Sequence, residues 1–380
     1  MPIKNVILLL EEDRVIDRDL ARGIAKYANF QSAGKWAFYH TLEKKIPSAE
    51  PKKWKADGII AYNPNDKAAQ KIIKLGIPSV TRGLQIDNYS YIVADENAIA
   101  SLAASHFQDR GFKHLAYIGR ANDWSRERGN AFQKKCQNFC EDFYAFQHRS
   151  AKDKGFNKKE IENMTGWLKS LPKPVGVFAC NDDLARAAIE ACKLTGILIP
   201  QEVAILGVDN DTYICELSDP PLSSIALNFE NVGYIAARAL DSYMSGMDVK
   251  EKKILIEPTH IVFRQSTNIL AIEDCEIAKA LNFIRQNTKK IIQVDDVAAA
   301  TNLSRRSLER RFKIVLHRSI SDEIRFCHVT LISQMLVETK LSISDICTSF
   351  GFSNTKHFAR YFSKAAGITP LAYRKKYGHI

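Results

Sequence analysis

Between residues 3 and 268, short unbroken apolar runs alternate with helix-length amphipathic stretches, and this alternation limits the possible folds more than any other feature. Val6 to Leu10 is five apolar residues in a row. A strand of that kind is buried on both faces, as the strands of a parallel sheet are, because crossover helices cover both sides. Similar runs recur at Gly58–Ala61, Ser79–Val80, Tyr91–Val93, Leu115–Ile118, Val175–Ala179 and Val203–Gly207. After the first run, Asp17 is placed to cap a helix in which Leu20, Ile24 and Tyr27 share one stripe. Repeated strand–helix alternation implies parallel sheets with helices on both faces. More than 260 residues is long for one such sheet, so two lobes with a cleft are expected. Ligands of such sheets bind beyond the carboxyl ends of the strands.

The charge is concentrated elsewhere. Of the net +11, residues 271–380 carry +8, from 18 Lys plus Arg against 10 Asp plus Glu, which leaves +3 for the first 270 residues. A nearly neutral module joined to a basic one points to a polyanionic partner for the second. No apolar run approaches the ~18 residues of a membrane-spanning helix. The opening residues lack the long apolar stretch and small-residue cleavage site of a signal peptide, so a cytoplasmic protein is expected. Eight scattered cysteines without a C-x-x-C fit that reading, and Cys136 and Cys140, four apart, read as partly buried thiols.

In the basic module, Ser304 can cap a helix in which Leu308 and Phe312 share one face. Arg306 and Arg310 lie about 200° round it, with Glu309 beside them. One face can dock on a core while the other offers guanidinium groups and a carboxylate to a major groove. The pattern occurs twice. Ser342 and Asp345 form a capping box, Ile343, Ile346, Cys347 and Phe350 make a stripe, and Gly351 permits a turn. Ser353 then caps a second helix with buried Phe358 and Phe362 opposite Lys356 and Arg360, flanked by Thr355 and His357. Ile320, Ile324, Cys327, Leu331 and Met335 mark a joining helix of about 20 residues, or roughly 30 Å, near the ~34 Å of one DNA turn. Two such units on one rod suit successive major grooves.

These residues carry resemblances. Gly176-Val177-Phe178-Ala179-Cys180-Asn181-Asp182-Asp183, Val203-Ala204-Ile205-Leu206-Gly207-Val208-Asp209-Asn210-Asp211 and the closing Ile261 to Thr267 resemble segments of LacI-type regulators and periplasmic sugar-binding proteins, over roughly residues 3–268. LacI regulators begin with a DNA-binding domain, whereas this chain starts directly on its first strand. Residues 277–377 resemble the AraC family, through Gly351-Phe352, Phe358 with Phe362, and Gly367-Ile368-Thr369-Pro370 with Tyr373-Arg374. That resemblance implies base contacts from Arg306, Glu309, Arg310, Thr355, Lys356, His357 and Arg360, and a phosphate contact from Arg305. The order of modules is similar to that of the xylose operon regulators of enteric bacteria. It implies an α/β two-lobed, periplasmic-binding-protein-like sensor over residues 1–268, a linker over 269–276 and an all-α AraC-type double helix-turn-helix domain over 277–380. It also implies D-xylose or a related small sugar as ligand, double-stranded operator DNA and RNA polymerase as partners, a homodimer, and activation as output.

A sugar is bound by planar bidentate partners and a stacking aromatic. Asp17, Arg128, Asn181, Asp182 and Asp209 fall at expected strand ends or helix starts, and Trp124 offers a ring. In the resembled families, positions matching Arg128, Asn181 or Asp182, and Asp209 line the site. Each alone would equally serve as a helix cap or surface ion pair. Glu11 and Glu12 are further candidates after the first strand. No P-loop, G-x-S-x-G, H-E-x-x-H or Rossmann glycine fingerprint is present, so an enzyme is not expected, and no metal or cofactor is called for. A transport-type binding protein and the same regulator answering a different sugar are the competing readings.

Overall fold

The computed structural model describes residues 3–10, 14–30, 36–40, 55–61, 76–83, 85–148, 158–272, 274–316 and 318–378. Glu11 and Glu12 lie outside the described residues. The strands are β1 (Lys4–Leu9), β2 (Trp36–His40), β3 (Gly58–Ala61), β4 (Ser79–Arg82), β5 (Tyr91–Ala94), β6 (His114–Arg120), β7 (Asp142–His148), β8 (Val175–Ala179), β9 (Val203–Val208), β10 (Ser223–Leu227), β11 (Lys253–Ile256) and β12 (Pro258–Val262). The helices of the strand-bearing part are α1 (Val15–Phe30), α2 (Glu96–Gln108), α3 (Asp123–Cys136), α4 (Lys158–Ser170), α5 (Asp182–Lys193), α6 (Thr212–Leu217) and α7 (Phe229–Met244). The reader follows as α8 (Cys275–Gln286), α9 (Val294–Ala299), α10 (Arg305–Leu316), α11 (Ile320–Glu338), α12 (Ile343–Ser349), α13 (Thr355–Ala366) and α14 (Pro370–Tyr377).

The chain divides into two compact units, residues 1–95 with 228–257, and residues 96–227 with 258–380. Each holds a six-stranded sheet. In the first the order is β11-β5-β4-β3-β1-β2, all parallel. Val6, Ile7, Leu8 and Leu9 of β1 are all buried, as their unbroken apolar run requires. In the second the order is β12-β10-β9-β8-β6-β7, parallel except for the antiparallel β10–β12 pair. The chain runs from β6 outward to β7 and then back to β8 on the other side. The carboxyl ends of β6 and β8 therefore flank a topological switch point, where open α/β sheets bind ligands. The closing segment Ile261 to Thr267 is a strand only to Val262, and Gln265–Thr267 turns as a 3-10 helix.

The reader has two small cores. Ile277, Leu281, Val297, Leu308 and Phe312 centre the first, and Ile346, Phe350, Phe358, Phe362 and Tyr373 the second. The 19-residue α11 serves both, with Ile320 and Ile324 in one and Ile332 and Leu336 in the other. Cys327, Leu331 and Met335, expected on its buried stripe, are only half-buried, because neighbours surround this helix and blur a one-sided pattern. It even buries His328. The Lys290 carbonyl accepts from Nε2 (3.1 Å), which leaves Nδ1 to accept from the Tyr361 hydroxyl (3.1 Å). Burial lowers the pKa of this imidazole and keeps it neutral.

A second buried histidine sets a pH dependence. His106, near the end of α2, stacks on Phe263 with ring centres 5.2 Å apart, and neither ring nitrogen has a hydrogen-bond partner. Burial, then the Arg110 and Arg285 charges, push its pKa well below the usual range. Below pH ~6.5 the unfolded chain takes up this proton and the native one does not. The contribution of His106 is thus present above that pH and falls by about 1.4 kcal/mol per unit on acidification. Urea unfolding at pH 6.5 and 5.5 should show the parent losing about 1 kcal/mol more than His106→Phe, because half of the unfolded imidazole is already protonated at pH 6.5. Parallel pH curves for the two proteins would rule this out.

Candidate sensor and nucleic-acid sites

Strand β8 ends at Ala179, and α5 starts on the Asn181 cap, whose Oδ1 accepts from the Leu184 amide at 3.1 Å. The expected candidate Asn181 is thus at least a helix cap. Asp182 is 2% exposed and fully engaged: Oδ1 accepts from Ser224 Oγ (2.6 Å), and Oδ2 from the Asp211 amide (2.8 Å) and Cys215 Sγ (3.4 Å). Burial and the neighbouring Asp209 charge push its carboxyl well above the usual range. A Cβ on Gly207 would lie 2.1 Å from Asp182 Oδ1, so only glycine lets that carboxylate sit against β9. Asp182 thereby braces the β9–α6 turn from α5 and β10.

That turn is strained. Asp209 and Asn210 both have positive φ, at 105° and 52°. Consecutive non-glycine residues in this region cost energy and cluster where geometry serves a ligand. Asn210 is held by its amide to Ser224 Oγ (3.0 Å) and by Arg264, which donates to its Oδ1 (3.0 Å). Asp209, half-buried, stands at the carboxyl end of β9, and its charge acts on both Asp182 and Arg128.

Arg128 reaches the same place from α3. It is buried, ion-paired to Glu96 at 2.5 Å, and donates to the Cys180 carbonyl at 2.5 Å. Burial alone would lower its pKa, but Glu96 outweighs that and raises it. Its guanidinium lies over the Trp124 ring, 5.2 Å from the centre, and Trp124 is 36% exposed, so an aromatic side chain open to solvent stands next to a fixed cation. Arg128, Cys180, Asn181, Asp182 and Asp209 thus gather at the carboxyl ends of β8 and β9, with Trp124 beside them. Asp17 belongs to the first unit, where it is buried in the first turn of α1. Glu96, Ser224 and Asn210 were not anticipated. Nothing at sequence separations of 32 and 42 residues signals the Glu96–Arg128 and Ser224–Asp182 pairs, whereas the Asp-Asn-Asp run does signal a tight turn.

In the reader, Arg305, Arg306, Glu309 and Arg310 on α10 are exposed opposite buried Leu308 and Phe312. Thr355, Lys356, His357 and Arg360 on α13 are exposed opposite buried Phe358 and Phe362. The repeat read from the sequence is present in both helices. The second cap is Asn354 rather than Ser353, through bonds from the Lys356 and His357 amides. Gly351, at φ 72°, makes the turn between α12 and α13. Arg305 bonds both Asp295 oxygens (3.0 Å) and Glu309 (3.1 Å), which orients the Glu309 carboxylate from within the helix. Among the described residues no cluster of His, Cys, Asp or Glu could hold a metal, and no helix is long and apolar enough to cross a membrane.

A strained, charged strand end in an open α/β sheet and two exposed basic helices on one chain fit a ligand-responsive DNA-binding regulator. Residues 104–267 match the periplasmic binding protein-like domain and residues 297–376 the helix-turn-helix domain. Along 97% of its length the chain is 29% identical to the xylose operon regulatory protein of Haemophilus influenzae, covering 98% of that protein. It is 27% identical to the one of Escherichia coli K12, covering 97% of this chain and 96% of that one. The structure of the xylose-binding transcription activator xylR superposes with a TM-score of 0.62 at 26% identity, covering 99% of this chain and 98% of that one. The chain is thus similar along nearly its whole length to these xylose operon regulators, with a LacI-like sensor and an AraC-type reader.

Proposed function

We propose that this protein is a cytoplasmic, homodimeric activator of xylose catabolism genes that binds D-xylose through its sensor and recruits RNA polymerase at an operator. Residues 1–268 form the sensor, 269–276 the linker and 277–380 the reader. The observation that carries the sugar site is the strained Asp209 turn facing the Arg128 charge at the sheet's carboxyl edge. Arg128 and Asp209 make charge-assisted bonds to hydroxyls, Trp124 stacks on the sugar's apolar face, and Asn181 and Asp182 complete and brace the edge. On DNA, Arg306, Glu309 and Arg310 read one major groove and Thr355, Lys356, His357 and Arg360 the next, while Arg305 meets phosphate. The xylose operon regulators, matched over nearly the whole chain, support xylose over another sugar.

Asp209→Asn tests the site, because asparagine tolerates positive φ where alanine would add strain. Losing the charge should cost about 1–2 kcal/mol of D-xylose affinity by calorimetry, the margin of a charged over a neutral hydrogen bond. DNA affinity without sugar should stay as it was. Wild-type xylose affinity in this variant would move the site elsewhere. A thermal-shift panel of pentoses and hexoses separates xylose from the alternatives, since a ligand at 100 times its Kd stabilises by about 2.7 kcal/mol.

A further inference from the structure

Helix α2 joins a buried ion pair to a partly buried one. At its start Glu96 holds Arg128 of the candidate sugar site. One residue past its end, Asp109, 4% exposed, pairs at 2.5 Å with Arg318 of the reader. Arg318 lies in the short turn between the recognition helix α10 and the rod α11. Its guanidinium also faces Glu323, in the first turn of α11 and 1% exposed. One cation is thus shared by a carboxylate of the sensor sheet's unit and a carboxylate of the reader. Beside it the linker is seated rather than loose: the Ala271 amide donates to the Arg110 carbonyl at 2.7 Å, and Arg311 donates to Asp274. The far end of α11 is tied as well, by Glu338 to His260 (3.0 Å), and α14 is tied by its Tyr373 hydroxyl, which donates to the Thr259 carbonyl (2.8 Å).

We infer that Arg318 is a positioning residue that transmits the state of the sugar site to the first recognition helix, with α2 as the strut between them. The inference rests on the sugar-regulator reading above. A helix of 13 residues spans about 20 Å and moves as one piece. A ligand that pulls on Arg128 pulls on Glu96 and shifts the strut's other end, where Asp109 holds the turn that aims α10. An ion pair with buried carboxylates is poorly explained by stability, since apolar replacements of similar volume are often neutral or stabilising. What it supplies is one defined orientation, because a guanidinium between two carboxylates has few arrangements, whereas apolar surfaces can slide. Coupling of this sort is established only by showing that both sites bias the same element.

The test uses the full chain, D-xylose, and a duplex selected by the wild-type protein from a random-sequence pool. The readout is the ratio of DNA Kd without sugar to DNA Kd with it. Typical couplings are about 5–150-fold. In Arg318→Met that ratio should fall to within about twofold of one, while calorimetric xylose affinity and sugar-free DNA affinity stay near wild type. Asp109→Asn and Glu323→Gln, which preserve shape, should each lower the ratio, and Asp109→Asn combined with Arg318→Met should lower it no further than Arg318→Met alone. A wild-type ratio in Arg318→Met overturns the inference. If that variant does not fold, a wild-type ratio in both shape-preserving variants overturns it. A wild-type protein whose DNA affinity ignores every sugar of the panel would instead overturn the regulator reading, and this inference with it.

Discussion

Arg128→Ala is expected to cost about 3–5 kcal/mol of stability, well beyond a lost surface contact. The side chain is 4% exposed, and its partner Glu96 is 9% exposed. Removing the cation strands that carboxylate and leaves the Cys180 carbonyl without its donor. The cost is therefore that of a buried unpaired charge. Two further variants separate this from any role in binding. Arg128→Met with Glu96→Leu removes both charges and should recover most of the loss, while still failing to bind D-xylose. Glu96→Gln keeps a hydrogen-bond acceptor for the guanidinium and should fall between. Denaturant unfolding followed by fluorescence, alongside calorimetric titration, checks all three. Parental stability in Arg128→Ala, within about 1 kcal/mol, would show that Glu96 finds water or another donor, and the pair would not organise the site.

The two halves of the molecule were unequally legible in the sequence. The recognition helices could be read because their signals are local: a cap, two large apolar residues four apart, and two basic residues on the far side all lie within one helix. Buried Phe312 and Phe358 and exposed Arg310 and Arg360 stand where that periodicity puts them. Central strands such as β8 and β9 were equally plain, since burial on both faces leaves only apolar residues. The strand β7 was missed, because its alternating Asp142–His148 pattern belongs to a sheet edge with one exposed side. The sugar-site candidates were found by motif, but their present duties were not. Asp182 spends both oxygens on β10 and the β9–α6 turn, and those partners lie 29 to 42 residues away in sequence. The anchoring of α11 to Asp109 and His260 was invisible for the same reason. Ion pairs across more than 70 residues leave no periodic trace, and the mixed neighbours of α11 dilute the stripe that would otherwise reveal its buried face.

Losing Arg310 and Arg360 together should nearly abolish operator selectivity. Each sits on an exposed recognition face opposite a buried apolar pair, Leu308 with Phe312 or Phe358 with Phe362, and the two helices pack on separate cores joined by α11. A good bidentate contact to a base edge is worth about 1–3 kcal/mol of discrimination. Sites with no shared partners add, so the double variant should lose roughly 2–6 kcal/mol against the selected duplex. Non-specific binding should weaken far less, because the backbone contacts supplying it come from other cations. Arg305→Ala should behave in the opposite way. Arg305 is engaged by Asp295 and Glu309 rather than held apart for a base, so its loss should weaken all duplexes alike and flatten the salt dependence of binding. Competition footprinting of the three variants over a range of salt distinguishes these outcomes. A double variant that still protects the selected site with parental selectivity would mean that α10 and α13 face away from the DNA, and the basic faces of the reader would need another partner.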